Sequence, residues 1–344
     1  MKKRSLNANQ ITRKNILANL KDKVIKSVYN SFQNNLKIND HFAVAVSGGP
    51  DSLALAFLSK CYSLKKNLKS YFFIVDHKIR KESSFEAKSV KKKLEKFGIK
   101  CKILTWKGKK LKGNIQSNAR KIRYNLLFKE CKTKSIKSLL IGHHKDDLIE
   151  NFLIRLYRGS GLRGLTSFKV NNQLTNEILI YRPLIKTRKK ALLYLSKKAF
   201  NFYVNDPFNK DDKFQRSRIR KFLEFSKQEG FNQNKIEKTI DNLEDANASV
   251  ENYVFRNLSE NSFYSKSENK YLLSAFFFIA PNEIIMRSLF HCIKLVGKKY
   301  YNVRGKKVNK LINEIKKDKL PKKTTLGGCI IKKVAETVII YAEK

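Results

Sequence analysis

The chain has 344 residues, more than one hydrophobic core usually spans, so two domains or a domain with an appendage are expected. Hydrophobic residues make up 42% of the sequence, which excludes a wholly disordered chain. Lys and Arg total 74 against 29 Asp and Glu, and this formal net charge of +45 should attract polyanions, although biased codon usage also enriches a chain in lysine.

Up to about residue 40 the sequence is polar and has a weak helical period. Beyond it, segments of helical spacing such as "SSFEAKSVKKKLEKFG" separate short apolar runs that predict β-strands. These runs are "FAVAV" (42–46), "YFFIVDH" (71–77), "CKILTW" (101–106) and "SLLIGH" (138–143). The alternation predicts an α/β domain with a Rossmann-like parallel sheet and helices on both faces.

The strand and helix alternation ends at about residue 226. A polar helical stretch, "QNKIEKTIDNLEDANASVENYVFRNL", follows, and then the helices "PNEIIMRSLFHCIKLVG" and "RGKKVNKLINEIKK". The tail contains two short strand patterns, "CIIKKV" and "TVIIYA". We therefore expect an N-terminal helical extension (1–40), an α/β domain (41–225), and a helical linker with a small α+β domain (226–344).

The five cysteines are scattered and form no CxxC pair, which argues against a zinc ribbon, a thioredoxin motif or a disulfide framework. A reducing cytoplasmic setting fits this usage best. The most apolar run, "YLLSAFFFIA", has about ten residues where a membrane span needs roughly twenty. No signal-peptide pattern follows the basic start, so the sequence indicates no membrane role.

The segment "SGGPDS" (47–52) lies between a buried strand and an apolar helix. Glycines there permit close backbone approaches, and the unpaired amides of a helix start bind anions. A simple tight turn, with Ser47 or Asp51 as a helix cap and Pro50 at the first helical position, is the plainer alternative. The two glycines together with Asp51 and Ser52 exceed what a cap requires.

This loop is neither a Walker A nor a GxGxxG sequence. It resembles "SGGxDS", the signature of the PP-loop ATP pyrophosphatases, which split ATP between the α and β phosphates. The resemblance implies that Ser47, Gly48, Gly49, Pro50 and Ser52 contact the phosphates. Asp51 would engage a magnesium ion, which favours a carboxylate and phosphate oxygens.

Two further motifs carry candidate ligand contacts, and the first lies where ligand sites of open α/β sheets are expected. "VDHKIR" places Asp76, His77 and Arg80 at the carboxyl end of the second strand, where a lone histidine is often a structural hydrogen-bonder. The helix "NIQSNARKIRYNLL" brings Arg120 next to Arg123 and Tyr124. The side chains of this helix are either solvated charges or phosphate or nucleotide contacts, and their placement beside the next motif gives contacts at least equal weight.

The segment "IGHHKDDLIENFLIRLYRGSGLRGL" (141–165) contains a His-His-Asp cluster. A helix that begins near His144 would align Asp147, Glu150 and Asn151, with Arg155 and Arg158 continuing the face. The spacing is not a standard zinc-ligand pattern, and the loop at 47–52 already implies magnesium. Carboxylates beside a nucleotide could instead recognise a cationic substrate and accept its proton.

Taken in order, the motifs resemble those of the tRNA(Ile)-lysidine synthetase family. They are "SGGPDS", "DHKIR", "ARKIRY", "HHKDDLIEN", "RGSGLRGL", "RPLI" (182–185) and "DPFNKDDKFQRSRIR" (206–220), with "TLGGC" (325–329) near the end. Four residues depart from the family pattern, namely Leu148, Asn151, Phe208 and Ser217. The carboxylates and arginines remain, so the departures bear on substrate contacts more than on the reaction.

The resemblance implies a ligase that uses ATP to adenylate the wobble cytidine of tRNA(Ile) with a CAU anticodon, and then joins free L-lysine to its carbon 2. It implies catalytic roles for Asp51, Asp147, Glu150 and His143, and ATP binding by the loop at 47–52 with Asp76, His77 and Arg120. Arg158, Arg216, Arg218, Arg220 and the lysine-rich C-terminal domain would bind tRNA. ATP with Mg²⁺ is expected, and zinc, an iron–sulfur cluster or flavin is not.

Two other functions stay open at this point. A PP-loop tRNA thiolase would need a CxxC pair, an iron–sulfur ligand set or a catalytic cysteine, and none is evident. A non-catalytic RNA-binding protein on a degenerate scaffold is the second alternative, but the retained Ser47, Asp51 and Ser52 speak against decay. The sequence leaves open whether two copies form a homodimer.

Overall fold

The computed structural model describes residues 15–78, 82–108, 115–168, 171–175, 178–204, 213, 215–230, 232–298 and 303–343. The chain divides between Glu237 and Lys238 into two compact units. Within the described ranges, every helix is either too short or too polar to span a lipid bilayer.

The first unit contains a six-stranded sheet of order β3-β2-β1-β4-β6-β5. Its strands are β1 (Phe42–Val46), β2 (Ser70–Asp76), β3 (Cys101–Thr105), β4 (Ser138–Leu140), β5 (Asn171–Thr175) and β6 (Ile178–Tyr181). The neighbours from β3 to β6 pair in parallel, and β5 pairs antiparallel with β6 at the edge. The four apolar runs predicted as strands are β1 to β4, so the α/β prediction is confirmed. The β5–β6 hairpin was not predicted.

Helices cover both faces of this sheet because side chains alternate along each strand. Phe42, Val44 and Val46 of β1 pack in one apolar cluster, whereas Ala43 packs in a second cluster on the opposite face. The helices of this unit are α1 (Lys23–Asn34), α2 (Pro50–Lys66), α3 (Ser83–Glu95), α4 (Ile115–Thr133), α5 (Lys145–Tyr157), α6 (Leu162–Leu165), α7 (Lys189–Phe200) and α8 (Gln215–Gln228). Helix α9 (Gln233–Asn261) begins in this unit, and most of it belongs to the second. Helix α1, inside the predicted N-terminal extension, contributes Ile25 and Phe32 to the first cluster.

The second unit contains an antiparallel sheet of order β7-β8-β11-β10-β9. Its elements are β7 (Ser262–Ser265), β8 (Lys270–Leu273), α10 (Asn282–Gly297), α11 (Gly305–Lys316), β9 (Thr324–Leu326), β10 (Cys329–Val334) and β11 (Thr337–Ala342). The two strands predicted for the tail are β10 and β11, which pair as a hairpin. Their apolar residues pack with α10 and α11 in a core of their own.

Candidate active site

The loop between β1 and α2 is folded by the hydroxyl group of Ser52. Its Oγ accepts hydrogen bonds from Ser47 N at 3.0 Å and Ser47 Oγ at 3.1 Å, and it donates to Gly49 O at 2.9 Å. Gly49 is the N-cap residue of α2, Pro50 occupies the first turn, and no side chain among the described residues caps this helix start. A plain side-chain cap therefore does not explain the motif, and the positive end of the helix is presented to the loop.

Gly48 is confined by its surroundings. Its φ is +84°, and a Cβ atom there would lie 2.6 Å from Val90 Cγ2. Its carbonyl oxygen accepts a hydrogen bond from Val204 N at 2.9 Å. The loop thus rests on α3 and on the segment after α7, and only glycine fits this position without strain.

Replacing Gly48 with alanine is expected to lower the free energy of unfolding by roughly 1 to 3 kcal/mol. The alanine backbone would be strained at the positive φ, and its Cβ atom would have to displace the side chain of Val90. Gly49→Ala is the matched control, since its φ is −70° and a Cβ there meets nothing closer than Ser47 Oγ at 3.8 Å. Denaturant unfolding of both variants measures the difference. Equal stability would contradict the confinement of Gly48.

The exit of β4 lies directly against the start of α2. A Cβ atom at Gly142 would lie 3.2 Å from Asp51 O and 3.3 Å from Ser52 Cα, so a larger residue would push the two segments apart. His144 follows as the N-cap of α5, and its Nδ1 accepts a hydrogen bond from Asp147 N at 3.3 Å. The predicted helix start near His144 agrees with the observed one.

His144 lies between two carboxylates. Its Nε2 is 3.5 Å from Asp51 Oδ2 and 3.5 Å from Asp147 Oδ2. Burial opposes protonation, but the hydrogen bond to Asp51 and the charge of Asp147 raise the pKa of His144 above its ordinary value. This histidine therefore connects the loop at 47–52 with α5. Sequence reasoning selected His143 instead.

His143 faces the other way and contacts Arg182. Its Nδ1 accepts a hydrogen bond from Arg182 Nε at 3.1 Å, and its ring centroid lies 5.0 Å from that of Phe168. Desolvation and the charges of Arg182, Arg120 and Arg216 lower the pKa of His143 well below its ordinary value. His143 is therefore a neutral acceptor beside a cluster of cations.

Asp147 and Glu150 lie on one side of α5, as predicted, and are buried. Arg216 of α8 reaches both, with Nε 2.9 Å from Glu150 Oε2 and Nη2 3.3 Å from Asp147 Oδ1. Arg220 donates to Glu150 Oε1 at 2.6 Å and Oε2 at 3.1 Å. Two arginines predicted to bind tRNA are thus engaged by the carboxylates predicted to be catalytic.

The other two arginines of that prediction, Arg158 and Arg218, are exposed. Arg158 Nη2 donates to Gln215 Oε1 at 2.7 Å, and Arg218 Nη1 donates to Lys213 O at 3.3 Å. Arg158 is the C-cap residue of α5 and reaches the first turn of α8, to which Arg218 belongs. The two side chains leave exposed positive charge at the start of α8.

The carboxylate of Asp76 accepts hydrogen bonds from the residues that follow it in the chain. Oδ1 accepts from Lys78 N at 3.0 Å and from Ser83 Oγ at 2.9 Å, and Oδ2 accepts from Ser84 Oγ at 2.5 Å. Burial is outweighed by these hydrogen bonds, and the pKa of Asp76 lies below its ordinary value. Asp76 therefore anchors the start of α3 to the end of β2.

The remaining ATP-binding candidates are His77 and Arg120. His77 Nε2 accepts from Arg123 Nε at 3.4 Å, while its Nδ1 is buried without a hydrogen-bond partner among the described residues. Burial and the Arg123 charge lower the pKa of His77 to about 4, so it is neutral at pH 7. Arg120 is exposed and stacks over Tyr124 at 5.1 Å. Arg80 and Phe208 lie outside the described residues.

A magnesium ion fits this site through Asp51. Its Oδ1 is buried and has no hydrogen-bond partner in the part of the chain that the structure describes, so one carboxylate oxygen remains available beside the phosphate-type loop. Within the described ranges, no three His, Cys, Asp or Glu side chains converge as a metal-binding group. Phosphate oxygens and water would supply the other ligands, as Mg²⁺ commonly requires.

The site combines a parallel strand, a helix start without a side-chain cap and an adjacent aspartate, as expected for a PP-loop enzyme. The family model of the PP-loop domain matches residues 20–225. The tRNA(Ile)-lysidine synthase of Wolbachia sp. subsp. Brugia malayi is 34% identical over 314 residues, which cover 89% of this chain and 71% of the relative. That of Rickettsia bellii is 31% identical over 319 residues, 88% of this chain and 69% of the relative. The chain belongs to the tRNA(Ile)-lysidine synthase family, so the resemblance seen in the motifs is confirmed.

Among solved structures, the U34-tRNA thiolase NcsA from Methanococcus maripaludis is similar, with a TM-score of 0.56. The similarity covers 64% of this chain and 78% of the thiolase at 21% identity. It therefore supports the fold alone.

Proposed function

We propose that this chain joins free L-lysine to carbon 2 of the wobble cytidine of tRNA(Ile) with a CAU anticodon, cleaving ATP to AMP and pyrophosphate through an adenylated cytidine. The observation that carries the proposal is the position of His144, with Nε2 3.5 Å from both Asp51 and Asp147. Through this contact the loop at 47–52 lies next to the helix that carries the buried carboxylates of Asp147 and Glu150. One site can then serve both the activation of the base and the attack of an amine.

In the activation step, the loop at 47–52 and the start of α2 bind the phosphates of ATP through backbone amides, Ser47 and Ser52. Asp51 would hold Mg²⁺, which would neutralise charge on the phosphates. His77 and Arg120 are the proposed nucleotide contacts, and His143, a neutral acceptor of a hydrogen bond from Arg182, is proposed to assist there. Adenylation converts the cytidine carbonyl oxygen into a leaving group.

In the transfer step, the amine of lysine must lose a proton before it attacks, since the pKa of an unperturbed lysine side chain is about 10.4. Asp147 and Glu150 are the proposed acceptors because they are buried, acidic and adjacent on α5. Buried carboxylates also select a cationic side chain over a neutral one.

The basic surface is proposed to bind the tRNA backbone. Arg158 and Arg218 are exposed at the start of α8. In the second unit, a groove of about 490 Å³ on α11 is lined mainly by Lys and Asn side chains, among them Lys306, Lys310 and Lys317. An anticodon-loop base can be turned into a pocket at lower cost than a base in a duplex.

Binding of tRNA is expected to weaken steeply with salt, because each phosphate contact releases counterions. Reversing two charges in the groove, Lys306→Glu with Lys310→Glu, should lower the affinity and the slope of log Kd against log salt. The double variant Asn309→Asp with Asn313→Asp adds negative charge to the groove without changing side-chain shape. It tests whether negative charge lowers the tRNA affinity while the lysines are still present. An affinity independent of salt would contradict the tRNA-binding role of this surface.

The thiolase alternative is disfavoured by the environment of the cysteines. All five thiols are free and buried. Burial raises the pKa values of Cys61, Cys101 and Cys131 to about 12, so these thiols are poor nucleophiles at neutral pH. Free thiols also fit the reducing cytoplasm that we propose as the location.

Replacing each cysteine alone with alanine is expected to leave lysine transfer to tRNA intact per folded molecule. Each replacement should cost stability, on the order of 1 kcal/mol for a small cavity. Mass spectrometry of the tRNA nucleosides measures transfer, and circular dichroism measures the folded fraction. Loss of transfer in one folded variant would favour cysteine-dependent chemistry.

The proposed function is tested by pyrophosphate release under multiple turnover. Release should require ATP, Mg²⁺, tRNA with a CAU anticodon and lysine together, and the tRNA should gain the mass of lysine less water. A tRNA whose wobble cytidine is replaced by uridine is the control. A folded protein that binds tRNA but releases no pyrophosphate would support the non-catalytic alternative.

A further inference from the structure

The carboxylate oxygens of Asp147 and Glu150 are all in contact with hydrogen-bond donors. Asp147 Oδ1 lies 3.3 Å from Arg216 Nη2, and Asp147 Oδ2 accepts from His144 N at 3.1 Å. Glu150 Oε1 accepts from Arg220 at 2.6 Å, while Oε2 accepts from Arg216 at 2.9 Å and Arg220 at 3.1 Å. Two guanidinium groups therefore balance the two negative charges.

An incoming ammonium group would bind to the same carboxylate oxygens, which still have free lone pairs, so positive charge and not the number of acceptors limits its binding. It can bind to this pair at full strength only if one guanidinium group withdraws, because a third cation would face two cations already in place. Glu150 is 5% exposed at its side chain, so solvent cannot screen that repulsion well.

The two arginines are not equivalent. Arg220 forms a two-point contact with Glu150, and its side chain is 26% exposed. Arg216 instead bridges Glu150 and Asp147 with one nitrogen to each, and its side chain is 37% exposed. Arg216 is therefore the group that can leave at lower cost, and Arg220 remains to balance Glu150.

The surroundings of Arg216 indicate what could draw it away. Arg218 belongs to the first turn of α8, and Arg158, the C-cap residue of α5, donates to Gln215 of that turn; both side chains are exposed. Two exposed guanidinium groups therefore accompany Arg216 at the start of α8. A phosphate of the tRNA backbone is the ligand that such a cluster recognises.

We infer that Arg216 occupies the amine position in the free enzyme and gives it up to lysine when an RNA phosphate binds at the start of α8. Lysine binding then depends on tRNA binding, which restricts the cationic substrate to complexes that hold the acceptor base. This inference rests on the proposed function. Because coupling of two ligands is reciprocal, lysine must strengthen tRNA binding by the same factor.

Calorimetry with lysine, in the absence and presence of an anticodon stem-loop RNA with a CAU anticodon, measures this coupling. We expect about tenfold tighter lysine binding with the RNA. Arg216→Gln should bind lysine more tightly than the wild type without RNA, and the RNA should then change the lysine affinity less than twofold. If Arg216→Gln is unstable, Arg216→Met, which keeps the apolar part of the side chain, should show the same two changes in lysine affinity.

Arg218→Gln is the matched control, because it removes a neighbouring exposed guanidinium that donates to Lys213 O. It should weaken RNA binding and leave the lysine affinity of the free enzyme unchanged. Unaltered lysine affinity and coupling in Arg216→Gln would overturn the inference while leaving the proposed function intact. Lysine that neither binds nor is transferred to tRNA would overturn both.

Discussion

Replacing Asp51 with asparagine is expected to lower the rate of pyrophosphate release by roughly 10³-fold, the loss of several kcal/mol of charge stabilisation at the phosphates. The amide has the same shape and can still accept from His144, so the protein should fold normally. What disappears is the negative charge at Oδ1, the buried oxygen without a hydrogen-bond partner among the described residues. Quenched-flow measurement of pyrophosphate with saturating tRNA gives the rate.

Asp146→Asn is the control for this change. The Asp146 side chain is 28% exposed against 26% for Asp51, and both carboxylates lie within 3.6 Å of a nitrogen of His144. Asp146 Oδ2 accepts from Lys189 N at 2.8 Å and has a structural role there. Its variant should retain the rate within a few fold. Similar losses in both variants would indicate that His144 orientation matters, and not the charge of Asp51.

Replacing Glu150 with glutamine is expected to abolish lysine transfer while a single turnover of pyrophosphate release persists. The glutamine cannot accept a proton, and it leaves Arg216 and Arg220 without their common anion. The free energy of unfolding should fall on the order of 3 kcal/mol, at the lower end for a broken buried ion pair because both arginines reach solvent. Rapid-quench assays and denaturant unfolding measure the two effects.

Glu130→Gln separates the loss of stability from the loss of chemistry. Glu130 is also a buried carboxylate with two cationic partners, Lys102 at 2.8 Å and Lys134 at 3.8 Å. It lies on α4, away from the described contacts of the site. This variant should be destabilised by a smaller amount, since Lys102 is 56% exposed, and should transfer lysine normally. Equal loss of transfer in both variants would contradict the role of Glu150.

The sequence predicts the structure well where interactions between residues close together in the chain determine the helices and strands. Apolar runs and a capping residue predict the strands β1 to β4, β10 and β11 and the start of α5 near His144. The β5–β6 hairpin escaped prediction because β6 is only four residues long and "ILIY" lacks alternation. Its place in the sheet comes from pairing with β4, which is a long-range contact.

The sequence alone predicts the alternating α/β fold, the strand-to-helix loop at 47–52 and the acidic pair on α5, because these depend on residues close together in the chain. That no side chain among the described residues caps the helix start was established by the structure. The three-dimensional packing was needed to show that His144, and not His143, faces Asp51, since the direction of a side chain depends on the backbone at the helix cap. The structure likewise shows that the hydroxyl groups of Ser83 and Ser84 donate hydrogen bonds to the Asp76 carboxylate. The pairing of Glu150 with Arg216 and Arg220 joins positions 66 and 70 residues apart, and only the packing of α8 on α5 brings those charges together.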